Sequence, residues 1–292
     1  MMEELVAVVL VNHNNDNDVL RIFESLKIQS YQNYLLIVVD DNSSDCSKLK
    51  EVEDEKFALT HYPKPFKVGY ANKHNFGFIE AIKNKAKYVY KMHTDMEIIS
   101  TSLLSSLVEE MNRDPDIVCV GPRIFNGDGH QTWGPGIVKI RCGHEIRVHE
   151  SYLLRVSYLL NNRGFQDEVF DWFGEEMDFF VRIKKNGKQV SQINEKIVHF
   201  GGATSASFRV AKCRYRADSS MVFLFKHNRH LPIFKTVRMY LREIRIEVIF
   251  ILDSLKNGHL WVATRSIINL SLGACLGAYK IIAKKYDRYP TL

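Results

Sequence analysis

Residues 34–45 read YLLIVVDDNSSD, and they decide the fold. The first six are apolar and lack the alternation of a strand with one wet face. They predict a strand buried on both faces. The run stops at Asp40 and Asp41, where Asn42, Ser43, Ser44 and Asp45 supply turn formers and helix N-cap side chains. The same pattern recurs upstream, where residues 5–11 (LVAVVLV) end on NHNNDND. Between the two runs, Val19, Leu20, Phe23, Leu26 and Ile28 fall at helical spacing. Downstream the pattern predicts a strand at 57–61, a helix at 75–87 and a strand at 88–92 that ends in HTDME. A helix at 102–111 and a strand at 117–120 follow. Such alternation argues a mostly parallel sheet flanked by helices. Ligands of these sheets bind beyond the carboxyl ends of the strands. Three of those ends carry polar or acidic clusters here.

Farther along, residues 123–162 are rich in Gly and His with weak periodicity, and predict loops with a short antiparallel excursion. Residues 175–186 predict a helix that turns Met177, Phe180, Val181 and Ile183 inward and stops at Asn186-Gly187. Short strands are expected at 189–193 and 196–200. Beyond residue 207 the pattern is purely helical, which divides the chain into a body, 1–206, and a C-terminal region, 207–292.

The 292 residues are 46% hydrophobic, 25% charged and 11% aromatic, which excludes a disordered or fibrous chain. The net charge of +6 is a sum of unlike parts. From Ser207 onward there are 16 Lys/Arg against 5 Asp/Glu, leaving 24 against 29 in the body. Five scattered cysteines without zinc spacing fit a reduced, cytoplasmic compartment. The N-terminal residues show neither a positive n-region nor a cleavage site. The longest apolar stretch, 260–279, contains Arg265, and a central Arg costs roughly 2.5–3.5 kcal/mol on insertion scales, which argues against a membrane crossing.

Several residues offer chemistry. Asp40 and Asp41 follow a buried strand, where they serve either as caps or as partners of a nucleobase or ribose. Asp95 and Glu97 alternate, which places both on one face of an extended segment, able to share a hard cation such as Mg²⁺ or Mn²⁺. His93 can substitute for one ligand. In 171–178 (DWFGEEMD), Glu175, Glu176 and Asp178 open a helix, where the dipole alone favours acids. Their neighbours Trp172 and Phe173 also raise a carboxyl pKa, as a general base requires. His199 precedes Gly201-Gly202, where backbone can approach a phosphate.

Together these motifs resemble glycosyltransferase family 2, inverting transferases of the GT-A fold, over roughly residues 5–230. VDDNSSD at 39–45 is similar to the family's VDDGSTD nucleotide element. GYANKHNFG at 69–77, GPR at 121–123, NGDG at 126–129, GEEMD at 174–178 with Arg182, and HFGG at 199–202 resemble elements of its rhamnosyltransferase-like branch. The resemblance implies a GT-A catalytic domain over 1–206. It implies a nucleotide site with Val11, His13, Asp40, Asp41, Asn72 and Asn75. A Mn²⁺ or Mg²⁺ site would use Asp95 and His199, with Glu97 and His93 as further ligands. Glu176 stands at the catalytic base position, with Glu175 and Asp178 beside it, and Trp172 and Phe173 would face the acceptor. Three departures stand out: His93 replaces the first acid of the metal motif, Glu176 replaces an Asp, and His13 replaces a turn Tyr.

The implied reaction moves a sugar from a nucleoside diphosphate, dTDP-rhamnose first and a UDP-hexose next, to a hydroxyl of a glycan or lipid-linked acceptor in bacterial surface polysaccharide synthesis. The rival reading is a non-catalytic nucleotide-sugar-binding or scaffold subunit that kept the fold. A nucleotidyltransferase would need a Gly-rich basic loop after the first strand, which VNHNND does not provide. In the C-terminal region, Lys235, Arg238, Arg242 and Arg245 form one stripe beside a row of aliphatic residues. That pattern fits either a packed amphipathic helix meeting a partner or second copy, or a helix on an anionic membrane surface, the inner face of the cell membrane. Nucleic acid is not expected, because no recognition motif or stacking aromatics accompany the basic residues.

Overall fold

The computed structural model describes residues 3–52, 54–63, 69–131, 137–139, 145–147, 150–161, 164–201 and 206–283. β1 (Val6–Asn12) and β2 (Tyr34–Asp40) pair in parallel, with Asn12 opposite Asp40. β3 (Phe57–His61) extends the sheet on one side, and β4 (Tyr88–Lys91) on the other. Val6, Val8 and Leu10 enter one core with α1 (Asp16–Lys27), while Ala7, Val9 and Val11 enter the other. Two dry faces explain why these strands do not alternate.

The order of the central sheet is β3-β2-β1-β4-β9-β6-β10-β5. β5 (Met96–Ile98) pairs antiparallel with β10 (Gln189–His199), and β6 (Ile117–Asn126) pairs in parallel with β10. A register slip between Gln192 and Lys196 interrupts β10, which is one strand where the sequence suggests two. The antiparallel excursion exists as β7 (Ile137–Lys139) and β8 (Glu145–Arg147). β9 (Tyr152–Arg155) is unexpected and wedges antiparallel between β4 and β6. Four residues are too few to show a period, so nothing separated it from loop.

On the helical side, α2 (Ser47–Glu51) follows β2, and α4 (Leu103–Arg113) and α5 (Val156–Asn161) complete the body with α6 (Glu175–Lys185). α3 (Tyr70–Lys83) begins five residues before its apolar periodicity does, because its first turns bury Asn72, Lys73, His74 and Asn75. Gly77 lets it approach β1, since a Cβ there would collide with Val9. The C-terminal region forms α7 (Ala206–His227), α8 (Ile233–Glu243), α9 (Arg245–Lys256) and α10 (Leu260–Ile282). Val222, Phe223 and Leu224 of α7 share the core of β1 and α3. The single helix expected over 232–256 is kinked at Ile244 (φ −79°, ψ −2°). Beyond the kink Glu247 points inward, to Arg216 at 2.9 Å.

Candidate active site

The parallel register of β1 and β2 delivers two turns side by side. Asn12 donates to Asp16 Oδ1 at 2.9 Å and to Asp40 Oδ1 and Ser43 Oγ at 3.3 Å each. Asn14 and Asn42 both adopt left-handed backbone, with φ of 58° and 56°. Asn14 Oδ1 accepts from Ser44 N at 2.8 Å, which locks the turns together. Asp40 is occupied by this lock: its Oδ2 receives Ser43 N at 3.2 Å and lies 3.3 Å from His61 Nδ1. Asp41 differs. One oxygen pairs with the buried Lys73, while Oδ1 is buried with no hydrogen-bond partner. A buried acceptor without a donor is costly unless a ligand completes it. His13 Nδ1 lies 2.8 Å from Asp41 O, and Val11 is buried beneath it. Asn72 is buried on the first turn of α3, next to Lys73.

Asn75 does not join this group. Its amide donates to Gln166 O at 2.8 Å and its Oδ1 accepts from Gln166 N at 2.9 Å. Both ends of the side chain are used to pin the 165–168 segment to α3, so it has no face for a nucleotide.

At the end of β4 the chain turns, with Met96 N on His93 O at 3.3 Å. Antiparallel pairing sets Met96 opposite His199 and brings Asp95 alongside, with Asp95 Oδ2 3.1 Å from His199 Nε2. Donor atoms of His93, Asp95 and His199 all lie within 4.8 Å of one another. Glu150 Oε2 is 2.9 Å from His199 Nδ1 on the other side. Asp95 and Glu150 together raise the His199 imidazole to about 10. A proton on this imidazole would balance the carboxylates, a charge that a divalent cation could supply in its place. Two imidazoles with one carboxylate form a sound donor set for such an ion, better matched to Mn²⁺ than to Mg²⁺, which prefers oxygen alone. Glu97 stands apart from this group on β5, opposite Val198. The alternation argument fails there because Asp95 belongs to the turn and the extended segment starts only at Met96. A second group, Asp40, Cys46 and His61, surrounds the β2 turn, but burial pushes the Cys46 thiol up and away from the thiolate a metal needs.

Phe173 (φ 67°) and Gly174 (φ 91°) are successive left-handed residues, and they swing the chain into α6. The first turn of that helix carries Glu175, Glu176 and Asp178. Glu176 forms an ion pair with the buried Lys91 and lies 3.9 Å from His93 Nε2. Lys91 Nζ also reaches His93 Nε2 at 2.8 Å and donates to Glu150 O at 3.1 Å. Burial raises the Glu176 carboxyl while Lys91 pulls it back. Burial and then the Glu176 charge raise Glu175 to about 7, and Glu175 Oε2 has no partner.

Asp178 departs from its expected place beside the base. It is fully buried, 2.8 Å from Arg182 Nε, Lys226 Nζ and His227 Nε2. Burial would raise its carboxyl, but Arg182, His227 and Lys226 outweigh that and hold it far below the ordinary range. Two residues after Glu176, the helix has already rotated this side chain into the core.

Trp172 is half-exposed and stacks on Tyr70, with centroids 5.8 Å apart and planes at 27°. Tyr70 in turn meets His93 edge-on at 5.7 Å, which links this wall to the metal-type group. Lys212 and Arg216 lie over the Phe173 ring at 5.2 and 5.5 Å. Gly69 allows the contact between α3 and the wall, because a Cβ there would lie 2.6 Å from Asp171 Cα. Gly201 is left-handed (φ 69°), and Gly202 lies outside the described residues.

Sequence reasoning overlooked Lys91, Glu150, Tyr70 and His74. Lys91 had a signal, a lone cation inside the apolar run YVYKM. His74 is buried, stacked on His93 at 6.0 Å, and burial pushes it well below its usual range. Glu150 carried none, since only the fold brings it to His199.

The family described as Glycosyl transferase family 2 matches residues 7–179, more than half of the chain. Staphylococcus aureus TarS 1–349 has the same fold at 12% identity, with a TM-score of 0.57 over 98% of this chain and 94% of that one. Its UDP complex gives 13% and 0.55, again over 98% and 94%. The mannosyltransferase PcManGT from Pyrobaculum calidifontis, solved with GDP-Man and Mn²⁺, gives 14% and 0.54 over 98% and 80%. No curated protein sequence matches the chain.

Proposed function

The chain belongs to glycosyl transferase family 2 and is a nucleotide-sugar glycosyltransferase of the GT-A fold; on that premise we propose an inverting, metal-dependent transfer with Glu176 as the base. The observation that carries this reading is one juxtaposition. Glu176 lies 3.9 Å from His93, so a carboxylate of raised pKa borders the candidate cation ligands at the strand ends. The nucleobase would donate to Asp41 Oδ1, with His13 and Asn72 beside it. Trp172 and Phe173 would hold the acceptor, and Glu176 would take the proton of its attacking hydroxyl as that oxygen reaches the anomeric carbon from the face opposite the leaving group. A divalent ion on Asp95, His199 and His93 would supply charge to the departing diphosphate. The GDP-Man and Mn²⁺ complex of the mannosyltransferase supports both the donor class and the ion.

The preferred donor is dTDP-rhamnose, carried by the motif resemblance, ahead of a UDP-hexose. The UDP complex of TarS keeps the second in play. The acceptor is a hydroxyl of a glycan or lipid-linked intermediate in surface polysaccharide synthesis. A thermal-shift screen of nucleotide sugars with Mn²⁺ tests the donor, since a ligand at 100 times its Kd adds about 2.7 kcal/mol. Glu176→Gln should abolish transfer and keep the donor-induced shift; full activity in that variant overturns the assignment. The pairing of Glu176 with Lys91 favours one rival, a binding subunit without catalysis. That subunit would give no metal-dependent hydrolysis of any donor it binds.

A further inference from the structure

Among the described residues 21 large hydrophobic side chains are exposed, and 16 of them lie beyond residue 232. The body is closed by comparison. On α8, Ile233, Phe234, Val237 and Leu241 form one exposed row, with Phe234 at 66% and Leu241 at 59%. Thr236 and Tyr240 face inward. Lys235, Arg238 and Arg242 recur at i, i+3 and i+7 on the remaining outer stripe, and form no ion pair among the described residues. α9 and α10 also expose Ile249, Leu252, Trp261 and Ile268. Rows of large exposed apolar side chains rimmed by charge mark interaction surfaces, whereas single exposed ones need no explanation.

α10 is long and apolar enough to cross a membrane, with a mean hydropathy of 1.2. Its packing argues otherwise. Gly273 lies directly on the α7 backbone at Arg214, and a Cβ on Gly277 would stand 3.0 Å from Asp218 O. Lys280 bonds Asp218 Oδ2 at 2.5 Å, Val169 O at 2.8 Å and Asp171 Oδ2 at 3.1 Å. Removing α10 from this seat would strand Asp218, and α7, with Lys212, Arg214, Arg216 and Lys226, cannot follow it into hydrocarbon.

We propose that α8, α9 and α10 form a docking face for an anionic lipid bilayer, with the α8 apolar row inserted and its basic stripe on the headgroups. Charge decides between a bilayer and a second copy of the chain. Charged side chains are depleted from the cores of protein interfaces, with arginine the exception, and a two-fold contact between copies would set this unpaired basic stripe against itself. Beside an inserted apolar row they are what a negative lipid surface attracts. The proposal does not depend on the reading of the active site. If both hold, the Lys280 bonds to Val169 and Asp171 fix the acceptor wall relative to the membrane.

The test is co-sedimentation of the full chain with vesicles of phosphatidylcholine alone or mixed with phosphatidylglycerol. Binding to the mixed vesicles, weakened by salt, is expected. Lys235→Gln with Arg238→Gln and Arg242→Gln should weaken it about a hundredfold, since each cation contributes roughly fivefold at such a surface. Phe234→Ser with Leu241→Ser should weaken it on both vesicle types while leaving the melting temperature in place, which separates lost docking from lost folding. The proposal is overturned by any of four results. These are absence of binding to the mixed vesicles, equal binding by either variant, retention after an alkaline carbonate wash (as a crossing helix would give), and a solution dimer that shields Trp261 from a fluorescence quencher.

Discussion

At the carboxyl ends of β4 and β10, Lys91, His93, Asp95, Glu150, Glu176 and His199 crowd together with charges that do not settle. Glu176 is raised, His199 is raised to about 10, and Glu175 is left with an unpartnered oxygen. One helical turn away, where side chains of α6 and α7 meet, the same residue types are satisfied. Asp178 has Arg182, Lys226 and His227, and Lys226 also reaches Asp167 at 2.5 Å. His93, Asp95, Glu150, Glu176 and His199 are 18–32% exposed against 0–12% around Asp178, yet Lys91 is as buried as Asp178, so burial alone does not mark a functional charge. What differs is completeness: a fully partnered charge builds the scaffold, and one left a partner short marks where a ligand belongs.

The largest expected effects break this contrast directly. Glu176→Gln should lower kcat by about 10²–10⁴-fold and move the denaturation midpoint less than loss of Asp178 does, because Glu176 is part-exposed and pairs with one cation, Lys91. Asp178→Asn should do the reverse, costing about 3–5 kcal/mol of stability while the folded fraction keeps its turnover. Because Asp178 is held below its ordinary pKa in the folded protein, its contribution is present above the usual carboxylate range and fades as pH falls through the folded value. Chemical denaturation across acid pH should therefore be less pH-dependent in Asp178→Asn than in the natural protein. Identical profiles would place Asp178 outside the charge network.

Smaller effects sharpen the comparison. Lys280→Met should cost a few kcal/mol at most and, on the proposed acceptor role of the Trp172 wall, raise the KM for acceptor more than for donor, because two of the three lost bonds, to Val169 and Asp171, hold that wall and the third holds Asp218 on α7. Mn²⁺ binding should release a proton and tighten as pH rises toward about 10, since the ion must displace the proton on His199. Calorimetry in buffers of different ionisation enthalpy reads this, and pH-independent affinity would remove His199 from the ligand set. Lys91→Met should shift the acid limb of the rate profile upward, because losing a cation raises a carboxyl pKa. An unmoved limb would show that Glu176 is not the titrating base.

Much of this was legible along the chain. The runs at 5–11 and 34–39 announce themselves as strands because both faces are dry, and the turns that end them mark the binding edge. Pairing was not legible. Asp40 and Asp41 are neighbours of identical chemistry, yet Ser43 and His61 occupy one and leave Oδ1 of the other open. Asn75 and Asp178 match expected site positions by order alone, and a rotation of about 100° per helical residue carries them onto other partners. β9 and the early start of α3 escaped for a related reason: one is too short to show a period, and the other buries polar side chains that hydropathy counts as wet.

The bonds from Lys280 to Val169 and Asp171 also impose an order in time. Synthesis runs from the N-terminus at about 5–20 residues per second, so the segment bearing Trp172 exists of order ten seconds before its last tether is made. The sheet, the turns after β1 and β2, and α6 can assemble while that wall is still loose. A ribosome-bound chain halted before residue 260 is then expected to bind nucleotide before it can discriminate acceptors, so recognition would mature from the donor side outward.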